Sequence, residues 1–157
     1  MFGMFKKDIK IYAPVTGSCV DLSEVPDEVF SEKMIGDGVA LRPTENLFVA
    51  PADGELTMLF PTGHAFGMRI DKTIEILIHI GIDTVELNGE GFEILAEQGQ
   101  FVKTGTPIVR VDLEKIRQRG YDLITPVILT SPAEAVIKPL TGRNAVAARD
   151  VIFSITP

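Results

Sequence analysis

The sequence predicts an all-β protein, and three observations carry that prediction. Ile74, Ile76, Ile78 and Ile80 recur with period two, the mark of a strand with one buried face. Short β-rich runs are punctuated by 14 glycines and 10 prolines in 157 residues, which implies bends and sheet corners. The best helix candidate is the single stretch Asp112 to Gly120, where Asp112 can cap the start, basic residues lie near the end and Gly120 can terminate it.

Along the chain, residues 1–7 read as a loosely packed end carrying Phe2, Met4 and Phe5, too short for a confident membrane-binding helix. Ile9 to Ala13 and Val15 to Val20 read as strands interrupted by Pro14 and Gly17. Asp21 to Met34, with Pro26 and many carboxylates around Val25, Val29 and Phe30, reads as a surface segment with short helical turns. Its apolar side chains either anchor the segment or rim a protein-binding site. Gly36-Asp37-Gly38 is a tight-turn signal ahead of a strand from Val39 to Arg42.

Leu47 to Phe60 contains Ala50-Pro51-Ala52-Asp53-Gly54, spaced like Ala13-Pro14-Val15-Thr16-Gly17, a weak two-copy repeat. Pro107 to Val111 alternates as a strand, and further strands are expected near Leu123 to Leu129, Ala135 to Pro139, Asn144 to Ala147 and Val151 to Ile155. Nothing resembles a linker, so residues 1–157 read as one domain, long enough to bury a continuous core.

Both histidines fall between Pro61 and Val85. His79 lies on the polar face of the isoleucine strand with Leu77 and Glu75, and His64 begins the preceding strand, which ends at Ile70. A two-residue turn at Asp71-Lys72 sets His64 directly opposite His79, with Cβ atoms about 4.5–5.5 Å apart. A three-residue turn sets it opposite Ile80, whose side chain belongs to the other face. The reading adopted is the two-residue turn. Arg69 is then placed on the face opposite His64, toward solvent or a partner and not assigned to phosphate.

Fifteen basic against twenty-two acidic residues give a formal charge of -7, which disfavours nucleic acid and suits a partner recognised by charge complementarity. The single Cys19 cannot form an internal disulfide and reads as a buried apolar residue. No apolar run reaches membrane-spanning length and the N-terminus lacks a signal-peptide pattern, so the expected location is intracellular.

Gly-rich nucleotide motifs, spaced cysteine pairs and a nucleophile elbow are absent from the sequence. The two histidines, beside Thr62 and Asp83, leave three readings open: a phosphate or proton-transfer site, a metal site, or no chemistry. A neutral imidazole can act as nucleophile toward phosphorus while neighbouring donors bind the equatorial oxygens. Zinc would take the same two histidines with Asp37 or Asp83, an incomplete tetrahedral set without one more ligand.

The run His79-Ile80-Gly81-Ile82-Asp83-Thr84-Val85-Glu86-Leu87, followed by Gly89, Gly91 and Phe92, resembles the glucose-family enzyme IIA domain of the phosphoenolpyruvate-dependent sugar phosphotransferase system. So do Ala13 to Gly17, Val25 to Lys33, Gly36-Asp37-Gly38, Thr62 to Phe66, and the spacing Gly99-Gln100-x-Val102-x-x-Gly105. The resemblance runs through nearly the whole chain in order. It implies a compact antiparallel β-sandwich or barrel-like fold with short helical segments. It also implies a cytoplasmic, monomeric phosphocarrier in transient contact with a membrane permease.

The implied donor is the histidine-containing phosphocarrier protein and the implied acceptor is the IIB domain of a permease for glucose or a related sugar. Regulated transporters or enzymes are further possible partners. By the same resemblance His79 is the phosphorylated residue, through Nε2, His64 stabilises the phosphoryl group and Thr62 supports it by hydrogen bonding. Asp37 and Asp83 correspond to the flanking acidic residues, and Val29 and Phe30 to part of an apolar docking rim. The resemblance implies no required cofactor, and leaves room for zinc shared by His64 and His79 at a partner interface. Biotinyl or lipoyl carriers share some of the glycine-proline spacing, but Lys103 lacks their acceptor context.

Overall fold

The computed structural model describes residues 8–131 and 135–156, so the N-terminal end discussed above lies outside the described residues. In chain order the elements are β1 (Ile9–Tyr12), β2 (Gly17–Asp21), α1 (Glu28–Ser31), β3 (Asp37–Pro43), β4 (Leu47–Val49), β5 (Gly54–Leu59), β6 (Ala65–Arg69) and β7 (Glu75–His79). They continue with β8 (Phe92–Ile94), β9 (Phe101–Val102), β10 (Pro107–Val111), α2 (Leu113–Gln118), β11 (Thr125–Ser131), β12 (Val136–Pro139), β13 (Arg143–Ala145) and β14 (Val151–Thr156). Single 3-10 turns occupy Leu22–Glu24 and Thr84–Leu87.

Every strand pairing described is antiparallel. An eight-stranded sheet runs β13-β2-β3-β11-β7-β6-β5-β9, and two three-stranded sheets run β1-β14-β12 and β4-β10-β8. This is the sandwich-like all-β fold expected, with short helical segments. None of the helices among the described residues is long and apolar enough to cross a membrane.

Alternation assigns the faces of the central strands. Val39 and Leu41 on β3, Val127 and Leu129 on β11, and Ile76 and Ile78 on β7 all enter one large core with Phe66, Met68, Ile74 and Ile80. Their neighbours Ala40, Ile128 and Leu77 turn to the opposite face, where Leu22, Val25, Phe30 and Ile124 cover them. Each fully buried aliphatic side chain contributes about 1.5–3 kcal/mol relative to exposure, so both faces hold the sheet in place. Thus Val25 and Phe30 anchor the acidic segment, while Val29 remains 41% exposed.

The two Ala-Pro-x-x-Gly units prove to be spatial partners. Tyr12 N–H donates to the Pro51 carbonyl at 2.9 Å, and Val49 N–H, at the matching position of the second unit, donates to the Pro14 carbonyl at 2.7 Å. Gly17 and Gly54 each begin the strand that follows, so Gly17 does not interrupt a strand as its sequence position suggested. Cys19 is buried, and burial pushes its thiol up to about 11, in keeping with an apolar packing role.

Helix α2 forms as anticipated, with the Asp112 carboxylate accepting from Lys115 N–H and Gly120 following its end. Two local readings need correction. After Gly81 the chain does not only bend but closes a 3-10 turn at Thr84–Leu87, with Asp83 and Asn88 in the left-handed region on either side. Gly36-Asp37-Gly38 is not a tight turn, because Asp37 and Gly38 already belong to β3.

The reason for glycine at 38 is close approach: a Cβ there would stand 2.0 Å from the Val127 carbonyl oxygen on β11. Gly38→Ala should therefore force β3 from β11 and lower stability by roughly 1–3 kcal/mol. Urea unfolding of the two proteins measures the difference.

Candidate functional site

The β6–β7 hairpin carries both histidines, but not in the register adopted above. Ala65, rather than His64, lies opposite His79, and Arg69 lies opposite Glu75. Ile70 N–H bonds the Ile74 carbonyl, so the turn holds three residues, Asp71, Lys72 and Thr73. The backbone of His64 faces Ile80, whose N–H donates to the His64 carbonyl at 2.7 Å.

That register by itself argued against a histidine pair, yet the rings meet, with centroids 5.2 Å apart and planes at 80°. The physical reason is that His64 precedes β6 and is not bound by strand alternation. Gly63 N–H closes a turn onto the Phe60 carbonyl, and β6 starts only at Ala65. Released from the ladder, the His64 ring turns to the face where His79 lies, whereas Phe66 and Met68 return to the core.

Each imidazole is held through its Nδ1. His79 Nδ1 is 2.7 Å from the Gly81 carbonyl oxygen, and because a carbonyl only accepts, Nδ1 carries the proton and Nε2 keeps its lone pair. His64 Nδ1 is bonded to the Thr62 hydroxyl. Phe30 packs on the His79 ring at 5.2 Å and Phe60 on the His64 ring at 4.9 Å. The pair therefore sits between two aromatic side chains, and among the described residues neither Nε2 has a hydrogen-bond partner.

Burial favours the neutral form of both rings. His64 is only 4% exposed, and desolvation, reinforced by His79, holds its pKa down to about 4. For His79 desolvation also dominates and lowers the pKa, opposed by the Gly81 hydrogen bond and by the charges of Asp27 and Asp83.

Of the acidic residues singled out, Asp83 acts on His79, sitting in the left-handed region just before the Thr84–Leu87 turn. Asp37 does not join the histidines. It lies opposite Leu129, itself opposite Ile76, two strands across and three residues short of His79, roughly 14 Å away by strand spacing. Its carboxylate accepts from Gly38 N–H at 2.8 Å and pairs with Lys33 at 3.3 Å.

The second charge near His79 is Asp27, which sequence reading passed over. Its carboxylate caps α1 by accepting from Val29 N–H. An aspartate just before a short helical run was the available signal. Phe60 was missed for another reason: only the loop joining β5 to β6 turns its ring onto His64. Arg69, opposite Glu75, shares the sheet face of His79 and of the His64 ring, which corrects its placement on the face opposite His64; it stands at the other end of β6, exposed, with Glu55 as its charge partner at 4.0 Å. Among the described residues no group of three or more His, Cys, Asp or Glu side chains is arranged to hold a metal ion.

Comparison with known proteins bears directly on this pair. Residues 9–135 match the family described as phosphoenolpyruvate-dependent sugar phosphotransferase system, EIIA 1. The glucose-specific EIIA component of Staphylococcus aureus (strain COL) is 44% identical over 149 residues, covering 93% of this chain and 90% of that protein. The glucoside-specific EIICBA component of Staphylococcus carnosus (strain TM300) is 52% identical over 134 residues, 85% of this chain but only 19% of that longer protein. The structure of glucose permease IIA from Mycoplasma capricolum superposes with a TM-score of 0.89 at 40% identity, covering 96% of this chain and 97% of the other.

A β-sandwich that presents two neutral, facing imidazoles, matched over most of its length by these proteins, belongs to the EIIA 1 family of the phosphoenolpyruvate-dependent sugar phosphotransferase system, whose members relay phosphoryl groups through a phosphohistidine.

Proposed function

We propose that His79 is the phosphoryl acceptor and His64 the group that stabilises the transferred phosphoryl. The observation that carries this assignment is the bond from His79 Nδ1–H to the Gly81 carbonyl, which leaves the Nε2 lone pair as the nucleophile. In the proposed step Nε2 attacks the phosphorus of the donor's phosphohistidine in line. The N–P bond of the donor breaks as the new one forms, and the donor imidazole leaves with the electron pair. No proton needs to leave His79, because Nδ1–H stays on the Gly81 oxygen throughout.

In this reading Thr62 donates its hydroxyl hydrogen to His64 Nδ1, which leaves His64 Nε2–H as the donor available to a phosphoryl oxygen. Next the phosphoryl group passes to the IIB domain of a sugar permease, for glucose or a related sugar. The donor is the histidine-containing phosphocarrier protein. Both reactions use one face, so both partners dock on the same ground, with the exposed Val29 and Phe60 as its apolar part, while Phe30, read from the sequence as part of that rim, is buried and backs the His79 ring. Asp27 and Asp83 place negative charge beside His79, suited to basic groups on the partners. Asp37, paired with Lys33 and two strands away, takes no part in this step.

The relay draws on no cofactor held by this chain, and a zinc ion shared across a partner interface would use the same histidine nitrogens and so compete with phosphorylation. The fitting location is the cytoplasm, as a monomer visiting a membrane permease and any transporter or enzyme it regulates.

Intact-mass analysis after incubation with phosphoenolpyruvate, enzyme I and the phosphocarrier tests the assignment. Wild type should gain one acid-labile phosphoryl group and His79→Gln none; equal labelling of both would remove His79 from the role. His64→Gln should still be labelled but transfer onward to IIB at least tenfold more slowly.

The pH dependence has a definite sign. With the folded pKa of His64 at about 4 and its ordinary value 6.5, the unfolded chain binds the extra proton first as pH falls. The stability tied to a neutral His64 is therefore complete above about 6.5 and lost on descending through about 4. Urea unfolding at pH 7 and pH 4 should show wild type losing more stability than His64→Gln. In NMR titrations both imidazoles should titrate below the ordinary histidine value.

A further inference from the structure

We propose that Thr84 is a positioning residue that fixes the reactive tautomer of His79. This role rests on His79 being the phosphoryl acceptor. Thr84 is one of three buried polar side chains among the described residues, and it is fully enclosed. Its hydroxyl donates to the Ile80 carbonyl at 2.5 Å, four residues back. Its methyl lies against Gly81, since a Cβ on Gly81 would stand 2.6 Å from Thr84 Cγ2. One β-branched side chain thus grips the two residues that separate His79 from the rest of the loop.

The peptide groups around Gly81 are consequently held on every side. Ile80 N–H bonds the His64 carbonyl at 2.7 Å, the Ile80 carbonyl takes the Thr84 hydroxyl, and Ile82 N–H bonds the Asp122 carbonyl at 2.9 Å. Gly81 itself has φ +81, where a side chain is strained, so its orientation is maintained by these neighbours and not by its own backbone preference. The carbonyl left over is the one that accepts from His79 Nδ1.

Of these restraints only the Thr84 hydroxyl comes from a side chain. It can be deleted without removing a backbone group. The left-handed backbone of Asp83, φ 60, is what returns the chain so that Thr84 lies beneath the loop. When Thr84 cannot hold the Ile80 carbonyl, the 80–81 peptide loses its side-chain restraint, and the Gly81 carbonyl is held only through the Ile82 N–H to Asp122 bond of its own peptide, so it turns away from His79 in part of the molecules. The His79 proton then divides between Nδ1 and Nε2, and every molecule with the proton on Nε2 lacks the nucleophile.

The test uses Thr84→Val, which keeps the shape and deletes the hydroxyl, and Thr84→Ser, which keeps the hydroxyl and deletes the methyl. Imidazole 15N spectra of the unphosphorylated protein report the tautomer directly, without reference to activity. Wild type and Thr84→Ser should show His79 with the proton on Nδ1, and Thr84→Val a mixture of both forms.

Single-turnover acceptance from the phosphorylated carrier should slow about tenfold in Thr84→Val, with half-saturation by the carrier unchanged, and by less than twofold in Thr84→Ser. A folded Thr84→Val with the wild-type tautomer and rate overturns the proposal. So does a Thr84→Ser with a mixed tautomer, which remains decisive even where Thr84→Val does not fold. Labelling of His79→Gln would instead remove the acceptor assignment while leaving the tautomer result standing.

Discussion

Strand β7 is covered on both faces, and the properties of the site follow from that constraint. Its isoleucines enter the main core, while Leu77 on the other face, beside Ile128, lies under the cluster of Leu22, Val25, Phe30 and Ile124. His79 is the next residue of that second face, at the margin of the cover, with the Phe30 ring against it. A titratable group is thereby placed at the edge of an apolar layer. There it loses water on one side and stays reachable on the other.

Partial desolvation accounts for the charge state better than any neighbouring ion. Asp27 and Asp83 both favour a protonated His79, yet burial outweighs them. His64, more deeply placed and facing another imidazole, is pushed further toward neutrality. Two rings that would repel as cations can then pack edge to face. The carboxylates still contribute, since they set the potential met by an approaching partner. Apolar packing and acidic charge thus serve separate purposes around one pair of rings.

Backbone groups do as much as side chains in organising this chemistry. The hairpin ends with the Ile80 N–H to His64 carbonyl bond, so the two histidines share a peptide-level tether even though they are not cross-strand partners. The Gly81 carbonyl then selects the proton position on His79. The reciprocal bonds between the Tyr12–Pro14 and Val49–Pro51 stretches show the same economy elsewhere, with two proline corners satisfying each other's exposed backbone groups.

Much of the architecture was legible because it depends on periodicity. The isoleucine alternation assigned the buried face of β7, the Asp112 and Gly120 signals bracketed α2, and the motif from His79 to Leu87 pointed to the family. Sequence by itself thus determined the fold class, the strand that carries His79 and the identity of the histidine pair. The route to that pair was not legible: the turn has three residues, and the rings meet because a loop frees His64 from alternation. Nor was the exchange of Asp37 for Asp27 beside His79, or the arrival of Phe60 on His64. Those placements depend on where loops fold back over a sheet, and side-chain periodicity carries no information about a chain that has left the ladder.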